Sequence, residues 1–597
     1  MYVRCNPNKK NVKYLSYVEG YRDENGVSRQ KTIRKIGDWD ELIKLYDDPI
    51  AHFNNLAKSS ESKVNTIKID TSEELGITND YKNFGYCIIQ RLYNELKLNE
   101  VTNLYQQKHK CTFSFDKILR LLVYSRILHP ASKNETFKNK DMYFEKFDFT
   151  LKQLYRSLDF IPEQKESILQ QLWNNTKDLY QRDISTTYYD CTNYYFEISY
   201  NDEDLIDETG VILEKGYRKK GVSKEHRKTP IIQMGLLMDK SGIPLNYELF
   251  PGNESEKTSL LPLLRETKKT FGIDRTILVA DRGLNTSDNT YFLAGKNDDS
   301  CKHFDGYIYG QSVRGASAAF KAWVLQQDYQ TDEETNEDGE KIYFKHKSRL
   351  FAKDVDVNID VSKCKRKVKT QTYQLQMVYY SEKYAQKQKK ERELVIEKAK
   401  SLIKNPSHYT KSTSYGASKY VNNISFVKDT GEIADTKNLT LNEQLVEEEA
   451  LYDGYYSIVT SEIKMSDKEL RDTYRGLWKI EESFKVTKST LETRPVYVWT
   501  AEHIEAHFLT CFISLVMVRL IEKQIQSKYS PERITNSLRK YICTKESHDI
   551  YKFGYRDEVI VELEQAFNIN LNLKYQSLTK MKEILNPSKK GPKSQQK

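Results

Sequence analysis

No two of the eight cysteines stand close enough to form a CxxC pair, which removes the simplest dithiol and zinc-ribbon chemistries. In a chain of 597 residues, thiols scattered in this way read as those of a reduced, cytosolic protein. Met1 to Lys10 has no apolar core of a secretory signal. The longest strongly apolar run, Leu509 to Val518, is far short of the roughly 20 residues that a membrane span needs, so no membrane partner is expected. No GxSxG elbow supports a Ser–His–Asp site. The segment from Gly252 to Thr258 has the outline of a phosphate loop. It sets a Glu where the second Gly belongs, and repulsion there argues against a nucleotide. His503, His507 and Cys511 have a helical spacing that could take zinc. They sit in an apolar stretch without a fourth ligand, so packing is the better account. Neither sign of charge dominates: 94 Lys and Arg stand against 85 Asp and Glu, a net +9. That balance suits a polyanion only where the positive charge is clustered.

What is present reads as several units, given ordinary domains of roughly 100–200 residues. Residues 1–80 hold a β-hairpin (Tyr14 to Tyr21, a turn at Asn25-Gly26, Val27 to Ile36) and a polar connector with a short helix. The return strand carries Arg29, Lys31, Arg34 and Lys35. Residues 81–180 have helical periodicity, as in Ile118, Leu121, Leu122, Tyr124 and Ile127, and read as an all-α module. From 181 to 300 the pattern turns to α/β: strands near 185–199, 231–238 and 245–250, a helix over 257–270, and the buried run Thr276 to Ala280. Residues 301–452 are charged and read as an insertion with its own β-rich body, an exposed acidic loop at 331–340 and a helix over 382–404. The core resumes over 453–526 with a strand at 454–460, one long helix over 467–491 and another over 501–526. Residues 527–597 read as a helical segment ending in a basic, disordered tail.

Three acids stand out. Asp190 lies inside a strand of aromatic and β-branched residues, where a carboxylate is costly unless it faces water or binds a partner. Asp281 follows a buried strand and precedes Arg282-Gly283, the end of a strand at which α/β folds place ligands. Glu481 shares one face of a continuous helix with Tyr474, Trp478, Lys485 and Lys488. An exposed face with a Glu481–Lys485 pair would account for the charges but not for the two aromatics. Hard carboxylate ligands select Mg²⁺ or Mn²⁺, and two such ions about 4 Å apart serve phosphodiester chemistry. The basic cluster Arg218, Lys219, Lys220, Lys224, His226, Arg227 and Lys228 reads as a DNA contact or a solvated loop.

The stretch from Tyr474 to Lys488 resembles the Tyr-x2-Arg-x3-Glu-x6-Lys signature of bacterial insertion-sequence DDE transposases of the "insertion sequence four" superfamily. The resemblance continues through Leu491 to Val496, His503 to His507, Tyr189 to Glu197 and Val279 to Gly283. The signature's Arg falls on Leu477, and on a continuous helix Arg475 points elsewhere. The resemblance implies a ribonuclease H-like core interrupted by the insertion, with Asp190, Asp281 and Glu481 as catalytic, metal-binding residues. It implies DNA contacts from Tyr474, Trp478, Lys485, Lys488, Lys224, His226, Arg227 and Arg282, terminal repeats and target DNA as substrates, and a homodimer on DNA. Trp478 would stack a flipped base or simply pack the helix. Such a protein works in the cytoplasm, at the nucleoid. A ribonuclease H-like nuclease without strand transfer, or an inactive DNA-binding derivative, has the same motifs; intact acids argue against the latter.

Overall fold

The computed structural model describes residues 2–7, 13–22, 28–59, 81–225, 227–295, 304–335, 339, 341–361, 364–411, 413–427, 432–434, 438–547 and 549–586. The chain forms two compact units, residues 1–76 with 546–548, and the remainder.

The first unit is a three-stranded antiparallel sheet, Tyr2–Pro7, Lys13–Arg22 and Ser28–Asp38 in that order. The hairpin reading missed the first strand, which pairs Tyr2 with Val18 and buries Val3 beside Leu15 and Leu42. On the last strand Arg29, Lys31, Arg34 and Lys35 are all exposed. A helix, Pro49–Ser59, lies in the connector. The Asn25-Gly26 turn, residues 60–80 and the basic tail from 587 onward are outside the described residues.

The second unit is built on a nine-stranded mixed sheet. Its strand order is Gln330–Thr335, Lys341–Val361, Cys364–Tyr380, Tyr455–Thr460, Gly306–Gln311, Ile277–Ala280, Thr186–Tyr195, Ile231–Asp239 and Pro244–Pro251. Ile277–Ala280 runs parallel to both of its neighbours, and all other pairings are antiparallel. Its apolar residues suit a strand buried on both faces. Thr186–Tyr195 is equally enclosed, with only Asp190 and Tyr195 reaching partial exposure.

The expected separate body for residues 301–452 forms only in part. Four of its strands belong to the core sheet: Gly306–Gln311 pairs with Ile277–Ala280, and the other three continue the sheet from the pairing of Leu375 with Thr460, while Ala399, Leu402, Ala417, Tyr420 and Val421 form a small core apart. Part of the expected acidic loop, Gln330–Thr335, is instead the edge strand. Its exposed charges are the kind of decoration that keeps an open sheet edge from pairing with another chain. The helices of 86–176 do not form a core of their own either. Their apolar residues, such as Ile118, Leu122 and Leu158, belong to one hydrophobic core with the sheet.

That core centres on the Ala501–Gln524 helix, which is apolar on all sides because it is enclosed on all sides. Phe508 packs edge-on to Tyr194 at 5.0 Å, and Phe512 lies 5.0 Å from Tyr247. The helix is longer than the run Leu509 to Val518 and is apolar enough to cross a membrane by length and composition, yet 94% of its most apolar window is buried in the protein. His503 pairs with Asp159, and His507 donates from Nε2 to the Thr493 carbonyl at 3.0 Å, so packing accounts for them.

The single helix expected over 467–491 is broken. Asp467–Arg475 ends at Gly476, Trp478–Lys485 follows, and Val486–Thr490 widens into a π turn. Gly476 is required at the break, because a Cβ there would overlap the Tyr188 hydroxyl. That hydroxyl donates to the Thr473 carbonyl at 3.1 Å and ties the break to the central strand.

Candidate active site

The sheet register brings two acids together. Ala280 pairs with Tyr189 across parallel strands, so Asp281 and Asp190, one residue further along each, emerge side by side. Adjacent strands lie about 4.8 Å apart and residues in register share a face. The electrostatics agree: burial pushes the Asp190 carboxyl up to about 6, with Glu256 and Asp281 adding to the rise and Lys224 opposing it.

Glu481 reaches the same place from the helix layer. It sits in the first turn of Trp478–Lys485. That helix is anchored from behind by Arg519, which donates to Ser483 Oγ at 2.8 Å and to Glu482 at 3.1 Å. Asp190, Asp281 and Glu481 line one open cavity of about 560 Å³, together with Tyr474, Trp478, Leu477 and Arg475. Arg475 therefore reaches the site, contrary to the continuous-helix reading. A second recess of about 270 Å³ shares Asp281 and Tyr474 and adds Arg282.

The donor set fits a hard divalent cation in part. Asp190 and Asp281 are paired carboxylates whose mutual repulsion a cation would relieve, and Mg²⁺ commonly binds one or two carboxylates plus substrate phosphates. Among the described residues, however, no group of three or more His, Cys, Asp or Glu is close enough to hold a metal ion. Glu481 faces the two aspartates across the cavity without closing a three-ligand cage.

The remaining expected residues separate into two groups. Tyr474 is half-buried; desolvation, then the charge of Asp281, raises its hydroxyl far above the usual tyrosine range. Trp478 is 56% exposed in the cavity wall, so helix packing does not account for it. Lys488 sits in the π turn. Burial and Lys224 lower its ammonium to about 8 while Asp190 opposes the drop, and Glu225 lies 3.9 Å away. Lys224 donates to the Cys191 carbonyl and pairs with Glu256 at 3.5 Å. Arg227 lies over the Tyr195 ring at 3.6 Å. Lys485 is exposed and is not among the residues lining the cavity. His226 is outside the described residues. Arg218 and Lys219 are engaged internally, with Asp202 and with Asp204 at 2.8 Å, which corrects their reading as part of a free basic cluster.

Sequence reasoning missed one wall of the cavity. Tyr379, Tyr384, Lys383 and Lys387 come from the strand and helix of the 301–452 region, with Tyr456 from the core. Tyr456 stacks on Tyr384 at 3.9 Å and on Tyr379 at 5.1 Å. Nothing in their spacing announces this. Glu256, the acid felt by Asp190, was visible only inside the rejected phosphate-loop outline.

A mixed α/β sheet with acids side by side on adjacent strands, beside cations and exposed aromatics, is suited to phosphodiester chemistry on a nucleic acid. The sequence matches the transposase DDE domain over residues 205–517, more than half of the chain, and the IS1634 family transposase N-terminal domain over residues 3–72. The chain belongs to the DDE transposases of bacterial insertion sequences. It is thus an enzyme acting on DNA, and its DDE domain implies a ribonuclease H-like fold and dependence on divalent metal. The matched stretch contains Asp281 and Glu481 and begins after Asp190. No curated protein matches the chain.

Proposed function

We propose that Asp190, Asp281 and Glu481 are the acids with which this transposase cuts the ends of its element and joins them to target DNA, and that it falls in the Tyr–Glu–Lys signature subgroup. The reading rests on one observation: the register that sets Asp281 beside Asp190, in a cavity that Glu481, Tyr474 and Trp478 also line. Asp190 and Asp281 would hold a divalent cation, with Glu481 drawn in when DNA is bound. Mg²⁺ or Mn²⁺, two ions in the full reading, supplies the positive charge that favours attack on phosphorus and stabilises the departing oxygen.

Water adds to the phosphorus at the element's end, and the 3′-oxygen leaves as a hydroxyl. That hydroxyl then attacks a target phosphodiester and displaces a target 3′-oxygen. Lys488 and Lys224, flanking Asp190, hold the phosphate oxygens. The half-buried Tyr474, beside Asp281, orients that carboxylate. The exposed Trp478 ring stacks an unpaired base, a contact worth about 1–3 kcal/mol. Arg475 takes over the phosphate contact that Leu477 cannot make. Arg282 and Arg227 extend the cationic track along the strand. The exposed basic strand Ser28–Asp38 and the helices of 86–176 recognise the terminal repeats, and two copies of the chain bring two ends together at the nucleoid.

The test is cleavage and joining on a duplex carrying the element's end, with Mg²⁺ or Mn²⁺. Wild type is compared with Asp190→Asn, Asp281→Asn and Glu481→Gln. Joined products vanish in all three while DNA binding persists. Wild-type activity in Glu481→Gln removes that residue from the triad, and cleavage without joining in the wild type identifies a nuclease.

A further inference from the structure

Away from the acidic cavity, a smaller recess of about 150 Å³ is floored by cations. Arg126, Lys133, Arg494 and His507 line it, with Tyr155 and Tyr497 at its rim. Arg126 and Lys133 are each only 6% exposed and His507 5%. The Arg126 Nη1 donates to the Leu491 and Glu492 carbonyls at 3.2 Å, and its buried Nε–H has no partner. His507 spends its Nε2–H on the Thr493 carbonyl, so Nδ1 accepts from Lys133 Nζ at 3.4 Å. Lys133 therefore keeps two N–H donors free of that bond. Among the described residues no carboxylate pairs with Arg126 or Lys133. The acid in the lining, Glu492, is exposed and acts on Arg539 instead.

Two cations buried side by side without a counter-charge are costly. Burial and Arg126 lower the Lys133 ammonium to about 7. A bound anion repays that cost, and the unpaired Nε–H and the spare ammonium donors are groups that bind phosphate oxygens. The rim identifies the source. Tyr497 is 58% exposed and Tyr155 37%, flat surfaces on which a nucleotide base stacks. Arg494 ion-pairs with Glu225, which also faces Lys488 beside Asp190, so the recess lies one ion-pair relay from the acidic cavity.

We propose that this recess receives a backbone phosphate of the DNA substrate, with the adjoining base stacked on Tyr497. The inference stands on DNA being the substrate and does not depend on which acids catalyse. Lys133→Met is the test, since it removes the charge and keeps an unbranched side chain only one atom shorter. Binding of an end-bearing duplex with an unpaired overhang is measured across a salt series, beside unfolding temperature. Affinity falls about tenfold, the slope of log K against log salt shrinks by about one, and the unfolding temperature does not fall. An unchanged affinity and slope overturn the proposal. If inorganic phosphate raises the unfolding temperature of wild type but not of Lys133→Met, with DNA binding unaltered, the site takes free phosphate and the DNA assignment is overturned. Should Lys133→Met lower the unfolding temperature, the surface variant Tyr497→Ala decides: weaker overhang binding supports the proposal, and unaltered binding overturns it.

Discussion

Replacing Asp190 with Asn should stabilise the protein at neutral pH while abolishing its chemistry. Burial, with Glu256 and Asp281 beside it, pushes this carboxyl up to about 6 from 3.8 despite Lys224. A rise of about two units corresponds to about 3 kcal/mol at 1.36 kcal/mol per unit, and solvent at a partly exposed group reduces that to about 1–3 kcal/mol. The sign follows from linkage. The folded protein binds the proton more tightly than the unfolded chain, so the associated stability is present below about pH 4 and lost as pH rises through about 6. Asn carries the neutral form at every pH and can still accept the Cys191 backbone N–H. The assay is thermal and urea unfolding in EDTA at pH 8 and at pH 4. The variant is more stable at pH 8, by a few degrees, and the two proteins converge at pH 4. Adding Mg²⁺ at pH 8 narrows the gap by stabilising only the wild type. A variant no more stable than wild type at pH 8, or a gap that persists at pH 4, refutes the account of an uncompensated carboxylate.

The same groups set a pH profile. Mn²⁺ affinity of the protein drops steeply below about pH 6 as Asp190 takes up its proton, and DNA affinity weakens above about pH 8 as Lys488 loses its own; a titration in which Lys488→Gln keeps the alkaline limb unchanged would count against that assignment. Gly476→Ala forces a Cβ into the Tyr188 hydroxyl and costs about 3 kcal/mol, with loss of cleavage. Adding Tyr188→Phe recovers only part, since the ring carbon behind the hydroxyl is also too close; full recovery or no cost at all in unfolding experiments contradicts the packing argument.

Much of the catalytic unit was legible because its strands are short and strongly patterned. The buried run ending at Ala280 and the aromatic strand around Asp190 have few alternatives to a central sheet, and the strand end at Asp281 follows from them. What could not be read depends on contacts distant in sequence. Gly476 resembles a tolerated helix glycine until Tyr188, far upstream, is seen against it. Without that break the face of Tyr474, Trp478, Glu481, Lys485 and Lys488 looks continuous. Arg218 and Lys219 likewise look free because Asp202 and Asp204, their partners, lie in a preceding segment that composition does not link to them.

The region between the second and third acids bears on mechanism through the sheet. Charge density alone made residues 301–452 look like an appended body, but the Cys364–Tyr380 strand pairs along Tyr455–Thr460, so strand and core must form together. That pairing sets Tyr379 against Tyr456, and the helix beginning at Glu382 brings Tyr384 onto the other face of the stack. Lys383 and Lys387 then line the cavity opposite the aspartates. The sheet thus supplies the acids from its centre and an aromatic, cationic wall from its extension. The Glu481 helix lines the same cavity and is held by Arg519. A shift of that helix toward the strands would complete the set of three carboxylates. Since Tyr188 ties the break at Gly476 to the central strand, the widened turn after Lys485, where regular helical hydrogen bonding lapses, is where such a shift costs less.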